Sequence, residues 1–428
     1  MADAYVSDQS IAVVDVLQIP TVPVTRVFQF LLCFANIACW MSILPVSLIL
    51  LPTQVAALDP VHKFSNLALI SSAGALAALI TNPLAGALSD RTQLRWGRRR
   101  PWLLAGTLCS AFALALMAYA TSFLVLLLTW VVFHIAINVL LAALTAVVPD
   151  KVPARQRATV SALVSLALPL GGVIGSLTIT KLGSAVTTAY FFLIGVLIVA
   201  MALFLLVLRE RPLAKDSIPP FSLRIVFTSF WINPIKNPNF AWAWLTRFLV
   251  YLSYYVALGY LLYFLHDVVH YTRIYPHQTD AQGVTSFQTV LTATLIVASL
   301  CAGFFSDRFQ RRKIFVIASS MVIVCSFLIL VFSQSWAAVL LSSAVLGLGF
   351  GAYLGVDIAL IIQVLPLARD HGKDMGVINI ANTLPQVLGP TVAAVVITLF
   401  HNYTILFLVA AGLACLGGIL VQAIKGVS

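Results

Sequence analysis

Only 9% of the 428 residues are charged, so an ionisable side chain inside a long apolar stretch is a candidate for chemistry before it is a candidate for solvation. Three residues answer that description: Asp357, Arg247 and His134. Asp357 closes the run Gly349-Phe-Gly351-Ala-Tyr353-Leu-Gly355-Val-Asp357, in which helical spacing puts Tyr353 and Asp357 on one face. Each such group costs roughly 3 kcal/mol or more at a bilayer centre, and is kept facing a partner or a cavity. Arg247 enters another apolar stretch by about two turns, a depth comparable to that of Asp357, and the two are expected to pair. A carboxylate that takes a proton as its guanidinium partner lets go would couple proton movement to a change of shape. A fixed ion pair, or a hydrogen bond with Tyr353 that holds the helices together, uses the same residues. His134, with Asn138 four residues on, offers either a proton relay or a neutral packing histidine.

Neutral polar side chains recur at helical spacing in four apolar stretches. They are Gln29, Cys33, Asn36 and Trp40; Tyr251, Tyr254 and Tyr255 after Arg247; Thr285, Gln288 and Thr292; and Asn379, Asn382, Thr383 and Gln386. Amides take hydroxyl groups and aromatic rings stack on the apolar faces of sugars, so these stripes together suit a small neutral hydroxylated ligand. Taken singly, Asn and Gln also glue helices together and Tyr also sits at a lipid interface.

Elements that hold these residues must live in lipid. The chain is 61% hydrophobic with a mean hydropathy of +1.02, whereas a water-soluble domain is about 25% charged. Apolar stretches fall at 27–50, 65–88, 102–120, 123–147, 159–181, 187–208, 240–265, 284–304, 314–333, 336–362, 375–399 and 403–424. A helix of ~20 residues crosses the hydrocarbon core, and helices satisfy every backbone amide internally, so the fold class is all-α membrane protein with twelve transmembrane helices. The net charge of +11 does not point to nucleic acid. Of 25 Lys and Arg, only Lys63, Lys181 and Arg273 fall on one side of the twelve-span arrangement, leaving 22 on the side of the termini. That asymmetry predicts that both termini are cytoplasmic. The six cysteines lie within the spans as small hydrophobes and predict no disulfide framework. Residues 1–26 lack the basic start of a cleaved leader and are expected to be a cytoplasmic tail.

The stretch 209–239, with Arg209, Arg211, Lys215, Arg224 and Lys236 and with Pro212, Pro219, Pro220 and Pro234, divides the chain into 27–208 and 240–428 as a cytoplasmic linker. An internal repeat spaced near 217 relates the two parts. Gly86-Ala-Leu-Ser89-Asp90-Arg91 recurs as Gly303-Phe-Phe-Ser306-Asp307-Arg308, each followed by a basic cluster: Arg95, Arg98, Arg99 and Arg100, then Arg311, Arg312 and Lys313. Pro149 to Pro169 recurs as Pro366 to Pro385. The repeat places Leu140 opposite Asp357, so symmetry alone does not call for a carboxylate there.

The duplicated Gly-x-x-Ser-Asp-Arg with its basic loop resembles the signature loop of the major facilitator superfamily. The longer form, Ser89-Asp90-Arg91-Thr92 through Gly97-Arg98-Arg99-Arg100-Pro101-Trp102, is similar to the branch holding proton-coupled sucrose transporters and the glycoside, pentoside and hexuronide cation symporters. So is Pro149-Asp150-Lys151-Val152-Pro153 with Gln156-Arg157. The resemblance implies two pseudo-symmetric six-helix bundles working by alternating access, and a monomer that draws on an ion gradient, of protons or sodium.

On that basis Asp90, Arg91, Arg98, Asp307 and Arg308 are expected to form latches between the bundles that break and reform as they rock. Positive charge that merely sets topology is the alternative. Proton coupling is expected at Asp357, Arg247 and His134. Substrate contacts are expected from Gln29, Asn36, Trp40, Asn138, Tyr251, Tyr254, Tyr255, Gln288, Tyr353, Asn379, Asn382 and Gln386. No nucleotide loop, hydrolase elbow, metal-binding motif or cofactor signature is found, so neither an enzyme nor a cofactor is expected. The leading expectation is a proton-coupled symporter of a sugar, glycoside or similar polar solute in a plasma membrane, a bacterial inner membrane being favoured. A proton-coupled exporter of drugs or metabolites is the second, and a non-transporting sensor or scaffold the third.

Overall fold

The computed structural model describes residues 21–183, 185–210, 237–309, 312–364 and 371–424. All regular structure in them is helical, as a chain without water to satisfy its amides requires. The helices in order are α1 (Arg26–Leu58), α2 (Lys63–Asp90), α3 (Arg100–Ala118), α4 (Phe123–Lys151), α5 (Ala154–Lys181) and α6 (Val186–Val207). After the connecting stretch come α7 (Pro238–Leu258), α8 (Leu261–Val269), α9 (Asp280–Phe309), α10 (Arg312–Phe332), α11 (Trp336–Val364), α12 (His371–Phe400) and α13 (Tyr403–Leu420). Among the described residues eleven are long and apolar enough to cross a membrane, and α7 with α8, bent by 43° at their junction, count as a twelfth when taken as one broken span.

Local chemistry sets the helix ends. Thr25, Ser122 and Asn402 each accept a backbone N–H of the first turn, from Phe28, Val125 and Thr404 at 3.2, 3.4 and 2.7 Å, satisfying donors that no helical carbonyl reaches. The predicted span 27–50 runs on to Leu58 because the strain of Pro45 is absorbed by a π-helical turn over Val46–Leu50 instead of ending the helix. The predicted span 240–265 breaks at Gly259-Tyr260, where the Tyr260 hydroxyl is drawn to the carbonyls of Phe64 and Pro390 at 2.8 and 3.1 Å.

Within the first six helices α2 packs on α4, α3 on α4 and α6, and α1 on α5 and α6; within the rest α9 and α10 pack on α11, and α7 on α12 and α13. Two seams join the sets, α2 against α12 and α5 against α9. In lipid, small residues allow the close approach that dispersion needs. Gly347, Gly351 and Gly355 on α11 lie against the backbone of Leu291, Leu295 and Ser299 on α9, where any Cβ would collide with a carbonyl oxygen. Bonds between the halves gather toward the face opposite the termini. Ser176 Oγ donates to Gln288 Oε1 at 2.9 Å, the Tyr263 hydroxyl to Pro52 O at 2.9 Å, and Lys63 Nζ lies 2.7 Å from Asp267. On the same face the His62 amide holds the Asp59 carboxyl below its usual value. All six cysteines are free. The linker expected at 209–239 falls, from residue 211 to 236, outside the described residues.

Candidate functional site

Three helices of the second half bring together the two charges that the sequence singles out. Arg247 on α7 donates through Nη1 to Asp357 on α11 and through Nε to Asn382 Oδ1 on α12. Both charges are buried, at 5% and 1% exposure, so each is the other's principal compensation for lost hydration. The guanidinium also lies over the Tyr251 ring, 5.3 Å from its centroid, a cation–π contact strengthened by the absence of water. Behind Tyr251 stand Phe350 and Tyr353, at ring separations of 5.4 and 6.4 Å, and Tyr254 stacks on Phe350 at 4.3 Å. Tyr255 packs edge-on to Tyr254 and covers Gly389 on α12, while Gln386 reaches back to the Asn382 carbonyl at 3.5 Å. Arg247, Asp357, Asn382, Tyr251, Tyr353, Tyr254, Tyr255 and Gln386 thus form one neighbourhood. Phe350 joins it; only its place three residues before Tyr353 could have nominated it.

Other candidates sit elsewhere. Asn36 is buried and donates to the Leu32 carbonyl of its own helix at 2.8 Å, and Gln29 reaches the Val24 carbonyl at 3.5 Å. Trp40 packs where Gly171 of α5 opens a notch. Gln288 belongs to the α5–α9 seam between the halves, through Ser176. Asn379 is exposed and accepts from Thr383 only through its backbone carbonyl. Asn138 accepts from Asn82 of α2 at 3.3 Å and donates to the His134 carbonyl at 2.9 Å. His134 stands edge-on to Trp130 at 4.4 Å, and neither of its buried ring nitrogens finds a partner among the described residues.

In the signature loop Asp90 pairs with Arg99, and Arg99 also donates to Ser89 and, at 2.9 Å, to Asp150; Arg98 takes the other Asp150 oxygen. Arg91 donates to the Ala87 carbonyl of its own helix at 3.0 Å. Glu210 Oε2 accepts the amides of Arg99 and Arg100, at 2.8 and 3.1 Å, capping the positive end of α3. These bonds hold α2, α3, α4 and the exit of α6 together within one half, where carboxylates meet the helix end closest in space. Arg99, Asp150 and Glu210 had no role assigned from sequence, although the first two stand in the quoted motifs and Glu210 lies between Arg209 and Arg211 of the linker stretch. Arg308 is exposed in the last turn of α9, and the Asp307 side chain lies outside the described residues. Among the described residues no group of three His, Cys, Asp or Glu side chains could hold a metal ion.

Residues 28–287 and 274–425 match the family model described as Major Facilitator Superfamily. The chain belongs to the major facilitator superfamily. It is a multi-pass membrane protein, and the solved structures it resembles share its fold over almost its whole length. The nucleoside transporter NupG aligns with a TM-score of 0.73 at 15% identity, covering 93% of this chain and 99% of that one. The human organic anion transporter MFSD10 aligns at 0.65 and 19% identity, covering 92% and 98%. Sequence relatives include a general alpha-glucoside permease of Schizosaccharomyces pombe, 28% identical over 24% of this chain and 22% of the permease. The MFS-type transporter YfiU of Bacillus subtilis is 30% identical over 30% of this chain and 24% of its own length, and the MFS-type transporter opdF of Penicillium oxalicum 21% identical over 72% and 68%. The chain therefore spans about a quarter of the length of the first two.

Proposed function

We propose that this facilitator is an alternating-access symporter that uses a proton gradient to import a sugar, glycoside or similar neutral polar solute, with residues 27–208 and 240–428 as the moving bodies and both termini in the cytoplasm. The observation that carries this reading is the buried Arg247–Asp357 pair, tied to Asn382 and faced by Tyr251. A proton arriving at Asp357 cancels one charge, removes the main hold on Arg247 and leaves the guanidinium on Asn382 and the Tyr251 ring. Since Arg247, Asp357 and Asn382 stand on three different helices, their release and re-formation shift α7, α11 and α12 relative to one another. The tyrosines and amides beside the pair suit hydroxyl-bearing cargo, and the segment similar to an alpha-glucoside permease supports that class.

A second reading, proton-coupled export of drugs or metabolites, is favoured by the Tyr254–Phe350 stack, an apolar surface suited to planar cargo. Uptake of labelled sugars into proteoliposomes under an imposed inward proton or sodium gradient separates the two. Concentrative uptake of a sugar under the proton gradient, reduced to exchange alone in Asp357→Asn, is the expected result. Failure with every sugar, together with gradient-driven extrusion of a dye, would transfer the protein to the exporters.

A further inference from the structure

At the face opposite the termini, Lys63 from the first half reaches into the second half. Its Nζ lies 2.7 Å from both carboxylate oxygens of Asp267 and 4.9 Å from the centre of the Tyr263 ring. The Phe64 ring, from its own half, stands 5.0 Å away on another side. The Tyr403 hydroxyl donates to Asp267 Oδ2 at 3.3 Å, fixing the carboxylate from behind. This receptor is built independently of the lysine. Tyr403 opens α13 directly after its Asn402 cap and packs on Phe264 at 5.4 Å, and Asp267 and Tyr263 share α8 one turn apart. The ion pair is sheltered, at 19% and 26% exposure, unlike the exposed pairs that contribute little. A carboxylate with an aromatic face beside it is the combination that recognises an ammonium group.

We propose that Tyr263, Asp267 and Tyr403 form an ammonium-binding cage on the second half, which Lys63 occupies as a tethered ligand and which a free primary alkylammonium ion occupies when Lys63 is removed. Occupancy by Lys63 holds the two halves together at this face, because the tether supplies a high effective concentration only while the halves are closed. When they separate, the cage is left open to the solution. A groove of about 590 Å³ lined by both halves, with Lys63, Tyr263 and His266 among its walls, leads to it.

Competition by a free ammonium ion tests the cage without knowledge of the transported solute. The reporter is the alkylation rate of a cysteine introduced as Leu50→Cys, a buried position beside the junction, in purified protein, measured over the parent lacking it. Lys63→Ala is expected to raise that rate about tenfold, equivalent to about 1.4 kcal/mol of lost closure. In the protein that keeps Lys63, millimolar n-butylammonium is expected to raise the rate in a saturable way toward that of Lys63→Ala, by taking the cage from the lysine, while tetramethylammonium, which has no N–H to give to Asp267, is not. Asp267→Asn is expected to raise the rate as Lys63→Ala does and to abolish the response to n-butylammonium. Lys63→Met, which keeps the stem, provides the same comparison should the alanine variant fold poorly. An unchanged rate in both lysine variants, no acceleration by n-butylammonium, or an acceleration that survives Asp267→Asn would each overturn the proposal.

Discussion

The helix pair α2 and α4 of the first half and the pair α9 and α11 of the second occupy equivalent places in the repeat, yet they solve the same packing problem in opposite ways. On α4 the contact positions are Trp130, His134 and Asn138; 217 residues later, on α11, they are Gly347, Gly351 and Gly355. The partner positions invert as well. Gly74, Ala78 and Asn82 of α2 correspond to Leu291, Leu295 and Ser299 of α9. In the first half bulk stands on α4 and the notch on α2, where Gly74 receives Trp130 and His134; in the second the notch is on α11 and the bulk on α9. Close helix packing needs a small residue opposite a large one, and either helix can supply it. The consequence lies two residues past Gly355. Glycines bring α11 onto α9, and Asp357 follows on the same helix to meet Arg247; the equivalent of Asp357 on α4 is Leu140, which is buried. The first half accordingly keeps its Asp, Glu, Lys and Arg at helix ends and connections, while the second carries a charge pair within its core.

Four substitutions, two of them paired with a compensating second change, would break or sharpen this contrast. The largest effect is expected at the charge pair: Asp357→Asn leaves Arg247 buried without its counter-charge, a loss of ~3–5 kcal/mol, read as a fall in the thermal midpoint of purified protein. The double variant Asp357→Asn with Arg247→Gln should recover more than half of that fall; a double variant as unstable as the single one would show that the pair is not what the core depends on. Next, Gly351→Val should cost about 3 kcal/mol, because its Cβ meets the Leu295 carbonyl and backbone cannot step aside. Gly74→Ala should cost less, about 1–2 kcal/mol, since the obstacles are the Trp130 and His134 side chains and not backbone. Trp130→Phe should relieve it, and no relief would mean that the two halves are equally rigid at this seam. The smallest change is expected for His134→Phe, which removes two buried, unpartnered nitrogens and should leave stability unchanged or raise it by up to ~1 kcal/mol. Loss of gradient-driven transport in that variant, with stability kept, would move His134 from packing to proton handling.

Much of this was legible in advance because lipid imposes a simple rule. Long apolar stretches without charges must be helices, so the spans and the repeat could be read from composition and spacing, and Asp357 and Arg247 stood out as charges where charges are costly. The duplicated Gly-x-x-Ser-Asp-Arg loops were equally plain. What could not be read was partnership. Four arginines in six residues are interchangeable in sequence, and folding selected Arg99 for Asp90 because the start of α3 turns that side chain between Ser89, Asp90 and Asp150, while Arg98 goes to the other oxygen of Asp150. Asn36 and Gln288 carry the same amides as Asn382, but one is spent on its own helix and another on the seam between halves. Lys63 and Asp267, 204 residues apart, carry no local signal at all. The sequence by itself therefore determined the solvent, the helices, the duplication and the two costly charges, since each is a property of a single stretch of chain. Which groups meet was decided by tertiary structure, because a hydrogen bond or ion pair depends on how two helices are turned toward each other, and that rotation is settled only when glycine notches and bulky side chains find one another.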